Sequence, residues 1–194
     1  MTLILVRHGQ AEANALGIIG GSQDPLTDLG REQARAAARR LAATSIDAIY
    51  ASDLSRASET ARFIAEAVGL EVIEHAALRE RSWGDAEGLT LEEIADRFGA
   101  DVPRGEGAIP NEETHDAFLA RVTPLFSELH ERHLADRAIV VAHAGTIRGV
   151  LSHLTGLPLG RLPLFNIMNT SFTVIEGTTP PSLGPINDHA HLEG

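Results

Sequence analysis

The sequence predicts an α/β fold in which helices cover both faces of a parallel sheet. Two short apolar segments, 2–6 (TLILV) and 138–142 (AIVVA), are typical of strands that are buried on both faces. Segments with helical periodicity alternate with such strands, which is the pattern that parallel strands joined by crossover helices require. No linker or internal repeat interrupts the chain, so we expect one domain spanning 1–194.

The composition supports a globular domain and limits the classes of function. Of the 194 residues, 43% are hydrophobic and 22% are charged, which is enough apolar material for a sizeable core. The net charge of −11 argues against sequence-independent binding to nucleic acid or to anionic membranes. All 16 basic residues are Arg, which excludes Schiff-base and P-loop lysine chemistry, and the absence of Cys excludes disulfides and thiolate nucleophiles.

The N-terminus predicts the location of the protein. Only a few apolar residues precede Arg7, without a basic region before them, so the sequence predicts no signal peptide. No apolar run is long enough to span a bilayer. We therefore expect a cytoplasmic protein.

Local patterns predict the helices in order. The first begins at Asp28, and the second follows a cap at Ser52 or Asp53 and ends at Gly69. Thr90 and Glu93 form the capping box of a third. A fourth carries an apolar stripe over 118–129, with a kink or a first turn at Pro124, and a fifth begins at Thr146.

Further strands are predicted at 46–50, 70–73, 165–168 and 171–175, and the tail from Gly177 is expected to cover the surface. Two pairs of histidines, His130 with His133 and His189 with His191, have spacings that suit a metal, but we interpret them as surface residues.

Two predicted strands end in a histidine. His8 follows the first strand within Arg7-His8-Gly9, and His143 follows the strand at 138–142. In parallel α/β sheets, ligands bind beyond the carboxyl ends of the strands. Both imidazoles are therefore expected in one crevice.

The residues near these histidines suit a tetrahedral dianion. Arg7 adjoins His8, and Arg56 lies in the first turn of a predicted helix, where backbone amides also favour an anion. Guanidinium groups bind phosphate through paired donors, so no metal is needed. A neutral His8 can then attack phosphorus, and Glu80, which follows the third strand, is a candidate proton donor for the leaving oxygen.

Several blocks in order resemble the histidine phosphatase superfamily, the phosphoglycerate-mutase-like group, in its bacterial phosphatase branch. They are LVRHGQAEAN (5–14), YASDLSRASETA (50–61), LRE with GDAEGLT (78–90) and VVAHAGTIR (140–148). The match spans nearly the whole chain. Five ordered blocks, including the Pro25-Leu26-Thr27 and Gly30 spacing, are far more specific than a lone RHG.

The resemblance implies a role for each matching residue. His8 is similar to the phosphoacceptor of the family, Arg7 and Arg56 to its phosphate clamps, His143 to its second histidine and Glu80 to its proton donor.

The resemblance also implies secondary contacts and architecture. Asn14 is similar to a phosphate-contacting residue, and backbone amides near Gly20, Gly21 and Ala144 are expected as further donors. The family has a three-layer α/β/α sandwich with a mainly parallel sheet and a lid, here roughly 81–115. Its members generally need no metal, so we expect no cofactor for this chain, and dimers are common among them.

The function expected from the resemblance is a metal-independent phosphomonoester hydrolase of the histidine acid type, acting on small phosphorylated metabolites through a phosphohistidine. The alternative is a cofactor-dependent phosphoglycerate mutase. Against it stand the absence of Lys and the short interval of 63 positions between Glu80 and His143 (143 minus 80). A third alternative is a non-catalytic phosphate-binding module. The chain departs from the family where Ala86 replaces the usual Trp and Trp83 precedes it, so the wall facing the alcohol is the least transferable region.

Overall fold

The computed structural model describes residues 1–99, 105–159, 162, 166–178 and 180–193. Six strands in this part of the chain form one sheet: β1 Thr2–Arg7, β2 Ala48–Ala51, β3 Val72–Glu74, β4 Arg137–Ala142, β5 Phe172–Glu176 and β6 Ser182–Leu183. Their spatial order is β3-β2-β4-β1-β5-β6. The first four are parallel, while β5 and β6 are antiparallel to their neighbours. The predicted, mainly parallel α/β sheet is therefore confirmed.

The helices lie between these strands in the chain: α1 Glu12–Leu16, α2 Asp28–Leu41, α3 Ser55–Val68, α4 Leu91–Phe98, α5 His115–Arg132 and α6 Ala144–Thr155. Short 3₁₀ turns occupy Ala76–Leu78, Gly84–Ala86 and Ala190–Leu192. None of the helices in the described ranges combines the length and apolar character of a membrane span.

The sheet separates two hydrophobic clusters, which explains the continuous apolar runs of its central strands. In β1, Leu3 and Leu5 pack on one face with side chains of α5 and α6. Ile4 and Val6 pack on the other face with side chains of α2 and α3. Successive strand residues point to opposite faces, so both faces must be apolar when helices cover both. The molecule thus has helix, sheet and helix layers.

The predicted start of α2 and the predicted capping box of α4 are confirmed. Thr27 caps α2 by accepting the N–H of Gly30, and the predicted capping box of α4 is present. Its two bonds run from the Glu93 N–H to Thr90 Oγ1 (3.1 Å) and from the Thr90 N–H to Glu93 Oε2 (2.7 Å). Strands β2 and β3 begin two residues later than predicted.

The predicted cap of α3 is wrong. The residue before the helix is Leu54, which makes no side-chain cap. Asp53 is instead held by Arg79, and the Ser52 hydroxyl lies 2.9 Å from the His143 ring. Both polar side chains are therefore committed to tertiary contacts.

Four other predictions need correction. Pro124 does not lie in a first turn, because α5 begins at His115 and contains Pro124 in its interior. Helix α6 begins at Ala144 rather than Thr146. Residues 166–168 are not a strand, and residue 165 lies outside the described residues. His130 and His133 were predicted at the surface, but both are buried. The His130 ring lies beside that of Phe126, and the His133 ring lies beside that of Tyr50.

The segment 81–115 has a small hydrophobic cluster of its own. Its buried residues are Ala86, Ile94 and Ile109, and Trp83 packs beside them. The segment joins the 18–20 loop through hydrogen bonds from Ile19 N to Leu89 O and from Gly88 N to Ile19 O. This arrangement places the segment along one side of the crevice at the sheet's carboxyl end.

Candidate active site

The two predicted histidines meet because their strands are paired. Strands β1 and β4 are parallel neighbours in which Arg7 lies opposite Ala142. His8 and His143 are the next residues of the two strands, and their ring centroids lie 5.0 Å apart. The expected common crevice is therefore present at the carboxyl end of the sheet.

His8 is almost completely buried, and its ring orientation selects a tautomer. Its Nδ1 lies 2.7 Å from the carbonyl oxygen of Gly9. A carbonyl only accepts, so Nδ1 carries the proton and Nε2 keeps its lone pair. Burial, followed by the charges of Arg7 and Arg56, lowers the pKa of His8 well below its ordinary value. At neutral pH the ring is neutral and nucleophilic at Nε2.

His143 is fully buried beside His8. Its Nε2 lies 2.9 Å from Ser52 Oγ, and its Nδ1 has no hydrogen-bond partner within the described ranges. Burial, and then the positive charges of neighbouring groups, lowers the pKa of this ring also. Ser52 was missed by the sequence reasoning as a site residue, although its place directly after β2, beside β4, is a usable signal.

Arg7 brings positive charge to the end of β1. One Nη1–H donates to the carbonyl of Ile167, while its buried Nε makes no hydrogen bond to any described residue. Burial lowers the pKa of Arg7 to about 10, with the charges of Arg148 and Arg56 acting in the same direction and that of Glu80 opposing them. An anion between these cations would relieve their repulsion.

Arg56 is the second buried cation. It lies in the first turn of α3 with only 4% exposure, and its Nη1 donates to the carbonyl of Gly21 at 2.7 Å. The nearest carboxylate oxygen in its ion pair, Asp24 Oδ2, is 3.9 Å away. Burial lowers the pKa of Arg56, against the opposing charges of Asp24, Glu80 and Glu87. This loosely paired guanidinium favours a bound anion.

Glu80 is held against the start of α6. Its Oε2 accepts the N–H of Gly145 and its Oε1 accepts the N–H of Arg81, both at 2.9 Å. A Cβ at Gly145 would lie 2.0 Å from Glu80 Oε1, so only glycine allows this approach. Arg121 also donates to the Glu80 carbonyl.

These groups surround an open cleft of about 510 Å³, including the space at its mouth. Its lining includes Arg7, His8, Arg56 and Glu80 together with three of the predicted contact residues, Asn14, Gly20 and Ala144. Gly21 lines an adjoining pocket and meets Arg56 through its carbonyl. His143 does not line the cleft itself, but its ring packs beside that of His8.

Two of the lining groups offer N–H donors. Asn14 uses its Oδ1 to accept the N–H of Ala11, which leaves its amide nitrogen as a donor. Ala144 is the first residue of α6, where the backbone N–H groups have no partner within the helix.

The backbone around His8 is fixed by residues that the sequence reasoning also missed. Thr60 Oγ1 accepts the N–H of Gly9 at 3.0 Å. Asn169 Nδ2 donates to the His8 carbonyl, and the N–H of Thr170 donates to the Arg7 carbonyl, both at 2.9 Å. These contacts hold the end of β1 from two sides.

The part of the chain that the structure describes contains no group of three or more His, Cys, Asp or Glu side chains suited to a metal. The site contains two imidazoles, two arginines and the carboxylates of Glu80 and Asp24.

Comparisons with known proteins identify the family of the chain. Residues 3–180 match the family model of the histidine phosphatase superfamily (branch 1). The chain is 35% identical over 169 residues to a 2,3-bisphosphoglycerate-dependent phosphoglycerate mutase of Bartonella tribocorum, covering 80% of this chain and 82% of the relative. It is 33% identical over 179 residues to phosphoserine phosphatase 1 of Hydrogenobacter thermophilus, covering 89% and 85%.

A solved structure of a phosphatase also resembles this chain in fold and sequence. The mycobacterial glucosyl-3-phosphoglycerate phosphatase in complex with VO3 superposes with a TM-score of 0.86 at 31% identity, covering 96% of this chain and 99% of that one. Phosphatases and mutases thus both occur among the relatives. The chain belongs to the histidine phosphatase superfamily.

Proposed function

We propose that the protein is a phosphomonoester hydrolase that works through a phosphohistidine on His8 and needs no metal. One observation carries the proposal: a buried, neutral imidazole with an unprotonated Nε2 lies at a cleft that the half-buried Arg7 and the buried Arg56 also line. Phosphatases among the relatives support the same reaction class.

The phosphate group binds between Arg7 and Arg56. Arg56 is buried and Arg7 half-buried, so water screens their interaction with a dianion less than at the surface. The N–H groups of Asn14 and Ala144 contribute further donors. When Ser52 donates to Nε2 of His143, the Nδ1–H of that ring is a further donor for a phosphoryl oxygen.

The reaction has two displacement steps. Nε2 of His8 attacks phosphorus, the P–O ester bond breaks, and Glu80 gives its proton to the leaving oxygen. Water then attacks the phosphohistidine, Glu80 takes a proton from it, and the P–N bond breaks to release inorganic phosphate. Arg7, Arg56 and His143 stabilise the charge on the equatorial oxygens.

A mutase is the second candidate, and the similarity to the Bartonella mutase favours it. A mutase must keep its phosphohistidine until a second substrate position receives the phosphoryl group. Hydrolysis and transfer are therefore separable by the lifetime of the phosphoenzyme.

The first experiment is a panel of phosphomonoesters assayed with EDTA: p-nitrophenyl phosphate, α-ribazole phosphate, sugar phosphates and 3-phosphoglycerate. We expect phosphate release by the wild type and a loss of about 10³-fold or more in His8→Ala, with folding intact by circular dichroism. His153→Ala, which removes an exposed histidine in the last turn of α6, is the matched control. Unchanged hydrolysis by His8→Ala would falsify the proposal, and isomerisation of 3-phosphoglycerate without phosphate release would favour the mutase.

A further inference from the structure

The phosphate cleft continues into a second pocket of about 540 Å³. The two pockets share Gly20, Arg56 and Glu80, and the second adds Ser82 and Glu87. Glu80 is the proposed proton donor to the leaving oxygen, so the alcohol of the substrate must extend past this residue. The side chains beyond Glu80 therefore determine which alcohols fit.

Carboxylate oxygens are prominent along this path. Glu87 Oε1 accepts the Ser82 hydroxyl at 3.0 Å, and its Oε2 lies 3.5 Å from where a Cβ on Gly21 would be. Asp24 lines the phosphate cleft but not the second pocket, and its buried Oδ2 makes no hydrogen bond to the described groups and lies 3.9 Å from Arg56 Nη1. The wall thus offers acceptors and negative charge to the alcohol.

The two further arginines that line the second pocket already have carboxylate partners. Arg79 donates twice to Asp53, at 2.7 and 2.6 Å, and these bonds lower the pKa of Asp53. Arg81 donates to the fully buried Glu112 at 2.6 Å. Each of these guanidinium charges is balanced by a carboxylate, so neither adds net positive charge to the second pocket.

The phosphate cleft also has an apolar surface, which consists of Ile18, Ile19 and Trp83. The Arg81 guanidinium lies 4.5 Å from the centroid of the Trp83 ring and fixes the indole. An indole with apolar neighbours suits the carbon face of a sugar or polyol, whose hydroxyls can then donate to Glu87 and Asp24.

We propose that this wall selects phosphate esters of uncharged polyhydroxy alcohols and discriminates against esters whose alcohol carries a carboxylate, with Glu87 as a specificity-determining residue. The proposal rests on the hydrolase function proposed above. Hydroxyls gain acceptors from Glu87 and Asp24, whereas a substrate carboxylate is repelled by both and finds the charges of Arg79 and Arg81 already balanced by Asp53 and Glu112.

The test uses two substrates that differ in one group. Glycerol 3-phosphate and 3-phosphoglycerate share a three-carbon skeleton, and a carboxylate in the second replaces a CH₂OH in the first. One like charge about 6 Å away at an intermediate dielectric changes binding by about tenfold. We therefore expect kcat/KM to be about tenfold higher for glycerol 3-phosphate, with the difference shrinking as salt is added.

The variant Glu87→Gln removes the charge and keeps the shape. We expect it to narrow the ratio of the two kcat/KM values by about threefold to tenfold, mainly by improving 3-phosphoglycerate. Glu92→Gln is the matched control, because it removes a charge from an exposed residue of the same segment, and we expect it to leave the ratio unchanged.

The outcomes distinguish the specificity proposal from the hydrolase proposal. His8-dependent hydrolysis of p-nitrophenyl phosphate together with equal or better use of 3-phosphoglycerate would overturn the specificity proposal and leave the hydrolase intact. The same ratio in the wild type and Glu87→Gln would also overturn the role of Glu87. Absence of turnover with p-nitrophenyl phosphate would overturn both.

Discussion

Gly145 determines where the Glu80 carboxylate can lie. Its N–H donates to Glu80 Oε2, and a Cβ at this position would overlap Glu80 Oε1 at 2.0 Å. Glu80 also accepts the N–H of Arg81, so its side chain has little room to withdraw while both bonds persist. The residue at 145 thus acts on the proposed proton transfer through the position of Glu80.

We predict that Gly145→Ala slows hydrolysis of alkyl phosphates by about 10²-fold or more and affects p-nitrophenyl phosphate far less, because the nitrophenolate leaves with little help from an acid. Glu80→Gln should show the same pattern. Measured kcat/KM values for both esters test this.

The double variant supplies the control. If Gly145 acts through Glu80, Gly145→Ala with Glu80→Gln should be no slower on alkyl phosphates than Glu80→Gln alone. Additive losses, or equal losses on both esters, would show that Gly145 acts on the fold or on phosphate binding instead.

The sequence predicted the side chains that line the cleft but not the residues that hold them in place. His8, Arg7, Arg56 and Glu80 stand out because each follows a strand or begins a helix within a recognisable block. Ser52 does not, since it meets His143 across 91 positions of chain and only the pairing of β2 with β4 brings them together.

The loop after β1 and helix α2 approach each other more closely than side chains would allow. A Cβ at Gly9 would lie 2.4 Å from the carbonyl oxygen of Gly30, and a Cβ at Gly30 would lie 2.0 Å from that of Gln10. Both obstacles are backbone atoms, which cannot rotate away. The close contact sets the path of the chain that carries His8.

We predict that Gly30→Ala destabilises the protein by about 2–4 kcal/mol, although a glycine-to-alanine change inside a helix ordinarily stabilises by about 0.5–1 kcal/mol. The extra methyl must push α2 away from the loop, so phosphatase activity should fall as well. Urea unfolding measures the change.

Glu32→Ala is the control for this helix, because Glu32 is exposed on α2. It should leave the free energy of unfolding within about 0.5 kcal/mol of the wild type. A stabilised Gly30→Ala variant would show that the close contact yields easily and does not constrain the loop.

Helices and strands were predicted where their signals are local. The capping box of Thr90 and Glu93 lies within four residues, and the run in β4 is apolar on both faces. The start of α3 was misplaced because Ser52 and Asp53 have distant partners. The segment 166–168 is apolar in part but forms no strand, and its Ile167 carbonyl accepts a bond from Arg7.

The whole molecule carries a net charge of −11, yet its candidate site gathers buried cations and neutral imidazoles. Burial lowers the pKa of His8 and His143, and that of His191 falls to about 4 through burial and the charge of Arg40. In the unfolded chain these rings would titrate near their ordinary value of about 6.5. The folded state therefore binds fewer protons than the unfolded state in mild acid.

The free energy of unfolding therefore decreases as the pH falls below about 6.5. Above pH 6.5 neither state protonates these rings, so their contribution to stability is at its maximum. As the pH falls from 6.5 towards the lowered pKa values, the unfolded chain takes up protons and the free energy of unfolding decreases, by at most about 1.4 kcal/mol per pH unit for each ring. Carboxylates with lowered pKa values, such as Asp53 and Asp188, add to the loss only in stronger acid.

We therefore predict that the free energy of unfolding falls by at least about 2 kcal/mol between pH 7.5 and 5.0, as measured by urea unfolding at closely spaced pH values. His191→Asn should reduce this slope between pH 6.5 and 4, because it removes one ring whose pKa drops on folding. Glu32→Ala should keep the wild-type slope. A stability that stays flat over this range would mean that the buried rings titrate in the folded protein as they do in the unfolded chain, so that His8 would lose the lone pair that attacks phosphorus below about pH 6.5.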